Sequence, residues 1–255
     1  MYDRRETDVS FRYLSRLAQD LDVDRCLIGG WAVYYTVSPS YSADIGREYL
    51  GSRDIDIGLP DAAAFGRVNE YILGKLGFER ISFRYVKQLD YETGRELSKG
   101  EARELPTHMM IPMYIDLLLP SVGSEVRGRL GFTPPDEPLL KAVFEEPAQA
   151  REVRMGNLPV KVPSRPLLLA MKVHSVGTRG MEHKRVKDIC DIAALCLYSG
   201  ESMDRVIREA SAWLDASKVR MGRRAITAED KKQAVTATGI PEGILSALLE
   251  RIGLQ

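Results

Sequence analysis

GSRDIDIGLP, residues 51–60, alternates Asp54 and Asp56 with Ile55 and Ile57. On a strand, side chains at i and i+2 share a face, so both carboxylates stand together and the isoleucines point the other way. Like charges side by side cost stability. Such a face is either fully solvated or holds a cation between its acids. Pro60 stops the strand, and Asp61 supplies an N-cap for a helix to about Leu76, with Gly77 placed to close it.

Upstream, TDVSFRYLSRLAQDL (residues 7–21) has apolar residues at helical spacing. The apolar run CLI then meets Gly29 and Gly30. WAVYYTV follows as a short helix broken near Pro39, and residues 38–50 read as an irregular loop. Free backbone N–H groups at a glycine turn entering a helix make an anion site; a plain tight turn is the alternative. Trp31, Tyr34 and Tyr35 read as packing residues of that helix.

Downstream, ISFRYVKQL (residues 81–89) alternates as a strand, and residues 91–106 are polar and turn-rich. HMMIPMYIDLLLP (residues 108–120) is a buried strand in which Pro112 marks an edge or an irregular start. Asp116 lies there among apolar neighbours, where a charge needs a partner. If the strands of Asp56 and Asp116 are neighbours, ~4.8 Å apart, Asp54, Asp56 and Asp116 converge. An all-oxygen set of this kind binds magnesium, and two such ions ~4 Å apart clamp an in-line phosphoryl displacement.

The 255 residues are 44% hydrophobic and 28% charged, with a formal net charge of zero. Bulk charge therefore attracts neither nucleic acid nor membrane, although a local basic patch stays open. No apolar stretch approaches the ~18 residues of a transmembrane span, so no membrane partner is expected. The polar N-terminus does not resemble a signal peptide. Cys26, Cys190 and Cys196 lack zinc-site spacing, and an odd count argues against a disulfide scaffold; reduced, buried thiols in a cytoplasmic protein are expected. His108, His174 and His183 have no metal spacing.

EVRMGNLPVKVPS (residues 152–164) reads as a hairpin turning at Met155-Gly156-Asn157. Beyond it the chain is helix-like to its end, with breaks at residues 177–180, 199–200 and 239–241, and Trp213 is expected in the core. That part holds fifteen basic and eleven acidic residues, against twenty-one and twenty-five before it. The division expected is an α/β lobe with a mixed sheet over residues 1–163 and a helical domain over residues 164–255.

LIGGWAV, SRDIDIGL and MYIDLLLP, in that order, resemble the polymerase-beta-type nucleotidyltransferase superfamily, whose signature is a glycine turn, a D-x-D and a later strand with a third carboxylate. VPSRPLLLAMKVHSV followed by KRVKDICDIAAL is similar to the C-terminal part of the AbiEii-like toxins, the nucleotidyltransferase half of abortive-infection toxin–antitoxin systems. The resemblance spans roughly residues 25–200. It implies transfer of a nucleoside monophosphate from an NTP to an acceptor hydroxyl, with pyrophosphate released. It implies Mg2+ or Mn2+ on Asp54, Asp56 and Asp116, and phosphate contacts at Gly29, Gly30, Lys172 and, with an irregular strand start, Arg53. Lys172 and Asp188, with Asp191 as rival, match the family's lysine and aspartate. The acceptor implied is tRNA and the partner an antitoxin; small-molecule (antibiotic) and protein acceptors, or a non-catalytic binding module, are the alternatives.

Overall fold

A computed structural model describes residues 4–255. In chain order the elements are α1 (Arg4–Asp20), β1 (Cys26–Ile28), α2 (Gly29–Ile45), β2 (Ile55–Gly58), α3 (Ala62–Gly74), β3 (Glu79–Ile81), β4 (Arg84–Asp90), α4 (Lys99–Glu104), β5 (Met110–Leu118), α5 (Ser124–Leu130), α6 (Leu140–Glu145), β6 (Ala150–Met155), β7 (Leu158–Pro163), α7 (Arg165–Val176), α8 (Glu182–Tyr198), α9 (Met203–Ser211), α10 (Ala216–Ala225), α11 (Ala228–Thr238) and α12 (Glu242–Ile252). They form two compact units. One holds residues 4–31 and Gly51–Val162; the other holds Ala32–Leu50 and Pro163–Gln255.

The first unit is built on a five-stranded sheet in the order β1-β2-β5-β4-β3. β2 and β5 run parallel, and every other pair is antiparallel, which gives the mixed α/β sheet expected. β5 alternates strictly. Ile111, Met113, Ile115 and Leu117 are buried, while Pro112, Tyr114, Asp116 and Leu118 are half-buried on the opposite face. On the buried face α1 lies against β5, and Tyr85 donates to Asn69 Oδ1 of α3 at 2.6 Å. Each large apolar side chain removed from water there contributes roughly 1.5–3 kcal/mol. Asp61 caps α3 by accepting from the Ala63 and Ala64 amides at 2.8 Å, as its position suggested. β6 and β7 form a separate two-stranded sheet, and Gly156 takes the left-handed φ of 60° in their two-residue turn.

Pro112 sits in a central strand yet at a local edge. Along β5, β2 reaches Ile115–Leu118 and no further, so the start of β5 has β4 alone beside it among the described strands. Opposite Pro112, Gln88 turns its carbonyl to the Leu97 amide instead, at 3.0 Å. The proline's missing N–H is therefore not needed by the ladder.

In the second unit α2 does not break at Pro39 but continues to Ile45, leaving a shorter loop than expected. An interior proline costs a helix about 3 kcal/mol. Packing beyond it offsets that cost. Tyr41 is fully buried, meets Tyr49 and Tyr198 edge-to-face at 5.1 Å, and donates to the Thr238 carbonyl at 2.6 Å. α8 is buried continuously from Val186 to Cys196, with α7 and α11 against it. Trp213 is half-buried, more exposed than a core position. All three cysteines are free thiols and buried, Cys26 in the sheet unit and the other two in α8. Among the described residues no helix is long and apolar enough to cross a membrane.

Candidate active site

Strand register brings the acids together. Asp56 of β2 faces Asp116 of β5 directly, Ile28 of β1 faces Asp56, and Arg84 of β4 faces Asp116. Asp56, Asp116 and Arg84 thus stand in one rung across the sheet, on its half-open face. Two carboxylates one strand spacing apart repel by about 3 kcal/mol at an effective dielectric of ~20, so the rung requires a cation.

Arg84 is that cation. Its Nε and NH2 grip both oxygens of Asp116 at 2.7 and 2.8 Å, and NH2 also reaches Asp54 Oδ2 at 3.1 Å. Burial pulls its pKa down, but the two aspartates outweigh burial and raise it. The guanidinium lies over the Tyr114 ring at 4.2 Å, with Arg53 over the same ring at 5.6 Å. β2 begins only at Ile55, so Arg53 and Asp54 precede the regular strand. Freed from strict alternation, Arg53 turns to Asp54 at 3.4 Å and to Glu6 at 3.2 Å.

Asp56 leans the other way, onto the glycine turn. Gly29 has φ 64°, and a Cβ there would lie 1.9 Å from Asp56 Oδ2. The carboxylate therefore rests on the first residue of α2, where the positive end of the helix dipole favours it. Gly29→Ala should lower the stability of the sheet unit by at least about 1–2 kcal/mol, the cost of a left-handed non-glycine residue, and should dislodge Asp56. Urea unfolding of the variant measures this.

Among the described residues no three His, Cys, Asp or Glu side chains are gathered to hold a metal ion. The reason is visible at the rung: Asp116 and the neighbouring Asp54 are turned to Arg84, and Asp56 to Gly29. The donor chemistry itself, carboxylate oxygen throughout, suits a hard divalent cation.

Lys172 and Asp188 lie in the helical unit, within a buried ion network. Lys172 Nζ sits 3.0 Å from Asp188 Oδ1 and 2.8 Å from Asp191 Oδ2. Asp188 also accepts from Ser175 at 2.9 Å and Arg179 at 2.6 Å, and Asp191 from Tyr49 at 2.8 Å and Lys187 at 2.5 Å. Both rival aspartates thus hold the same lysine. Burial raises the Asp188 carboxyl, but Lys172 and Arg179 prevail and bring it to about 2.

No family model matches the chain, and no curated protein matches it. Solved structures do. One is an antigenic nucleotidyltransferase-like protein from Paracoccidioides brasiliensis, at 17% identity and a TM-score of 0.43, covering 92% of this chain and 93% of that one. Another is the antibiotic-resistance factor ANT(2'')-Ia, at 15% identity and a TM-score of 0.43, covering 81% of this chain and 91% of that one.

Near the network, His174 is buried and accepts from the Asp215 amide through Nε2 at 2.9 Å, while its Nδ1 has no hydrogen-bond partner among the described residues. Burial, then Lys218, lower its pKa to about 4 against the opposing pull of Asp215. The unfolded chain therefore takes up the proton first. Stability should fall as pH drops from about 6.5 toward 4, by roughly 2–3 kcal/mol. His174→Gln keeps an acceptor and does not titrate, so its pH–stability curve should be flatter across that window in denaturant melts.

The sequence singled out the three acids but missed Arg84 and Tyr114. The signal available was alternation: Arg84 lies opposite in phase to Tyr85, and Tyr114 is two residues before Asp116.

Proposed function

We propose that the chain is a metal-dependent nucleotidyltransferase, moving a nucleoside monophosphate from an NTP to an acceptor hydroxyl and releasing pyrophosphate. One observation carries the proposal: Asp56 and Asp116 are paired in register on parallel strands, with Asp54 beside them and the start of α2 under Asp56. Asp54, Asp56 and Asp116 would hold Mg2+ or Mn2+. A divalent ion bound there neutralises triphosphate charge and favours the deprotonated acceptor hydroxyl. Arg53 and the backbone at Gly29 and Gly30 are the chain's own groups for phosphate oxygens. Lys172 and Asp188 are assigned a positioning role, fixing α7 against α8.

For the acceptor we propose tRNA, and for the biological role a toxin of the AbiE type held in check by a separate antitoxin. The support is the basic excess after residue 163 and the exposed Arg220, Arg223 and Arg224 of α10. A hydroxyl of a small molecule such as an antibiotic, or of a protein, is the competing class.

The test incubates the protein with each labelled NTP, Mg2+ or Mn2+, and in turn total tRNA, an antibiotic panel and a protein extract. Label on tRNA supports the full proposal. Label on another acceptor keeps the chemistry and replaces the acceptor. No transfer from any NTP, with no nucleotide binding by calorimetry, leaves a binding module.

A further inference from the structure

We propose that Arg84 is the resident counter-ion of the carboxylate rung, and that a divalent cation binds only by displacing it. This rests on the nucleotidyltransferase assignment of those acids. The guanidinium engages both oxygens of Asp116 and one of Asp54 at 2.7–3.1 Å. A magnesium ion needs the same oxygens at ~2.1 Å. Both cations cannot occupy the space between Asp54 and Asp116.

Three features make Arg84 a built occupant. Register fixes it opposite Asp116, the Tyr114 ring supports its face, and its fork matches a carboxylate bidentately. An arginine does not titrate in this range, so the exchange is ion for ion. The Arg84 side chain is 24% exposed, so displacement turns it toward solvent about its own torsions while its backbone stays in register. Arg84 is the first residue of β4, after a turn in which Ser82 holds φ 58° and Phe83 is 40% exposed, and its backbone pairs with Ile81 of β3. Once displaced, its guanidinium is matched to the triphosphate that accompanies the metal.

Two consequences follow from this exchange. Metal alone must compete with Arg84, so it binds weakly. Metal and nucleotide together leave Arg84 with a phosphate partner, so each strengthens the other by a reciprocal factor.

The test titrates Mn2+, followed by electron paramagnetic resonance of the free ion, into the wild type, Arg84→Gln and Arg84→Lys. Each titration is done with and without an unhydrolysable NTP, and Asp116→Asn serves as a control for the site. Arg84→Gln should bind Mn2+ alone at least about tenfold more tightly than the wild type, since a competing charge ~4 Å away is gone. Its gain from nucleotide should be smaller. Arg84→Lys, which keeps the charge and loses the fork, should fall between, and it carries the test if Arg84→Gln does not fold. Equal or weaker Mn2+ binding by the variants, with the wild type binding, overturns the role of Arg84 and leaves the nucleotidyltransferase assignment standing. No Mn2+ binding by any of them, with or without nucleotide, overturns both.

Discussion

Asp56→Asn is expected to reduce nucleotidyl transfer by about 100- to 1000-fold, the usual cost of removing one preorganised charge from a reacting centre. Asp56 stands in the rung between Asp116 and the start of α2. The amide keeps the size of the side chain and removes its charge. It also removes one partner of an opposed like-charge pair, so the melting temperature should hold or rise while activity falls. Single-turnover transfer and a thermal melt on the same preparation give both quantities. Full activity in Asp56→Asn would place the chemistry away from the rung.

Lys172→Met should have the largest effect on stability. Removing one member of a buried ion network typically costs about 3–5 kcal/mol, because the remaining charges are left without compensation. Here Asp188 and Asp191, 2% and 0% exposed, would lose the cation they share. Denaturant unfolding should show the loss. A Lys172→Met protein that kept its stability and lost transfer would make this lysine a catalytic residue instead.

The parts of the fold readable in the sequence are those set by local rules. Alternation in DIDI and in MYIDLLLP placed three acids on one kind of face, and Asp61 announced its helix by capping chemistry. What was not readable depends on neighbours distant in sequence. Arg84 faces Asp116 because β4 lies beside β5, and no local period reports that adjacency. The run of α2 past Pro39 depends on Tyr41 packing against Tyr49 and Tyr198, a contact that outweighs the proline. Lys172 lies in the apolar run LLLAMKVH, where a lysine needs a partner or a cavity. That it would be shared by two aspartates one helix turn apart required the packing of α7 on α8.

The three sulfhydryls are distributed so that each unit carries its own. Cys26 belongs to the sheet, while Cys190 and Cys196 belong to α8, and burial pushes the latter pair to about 12. A closed molecule shields all of them from alkylating reagents, so the pace of modification at each position times the breathing of its own half of the protein. Mass spectrometry of native, partly labelled chains can thus follow both halves at once, without any dye or engineered reporter.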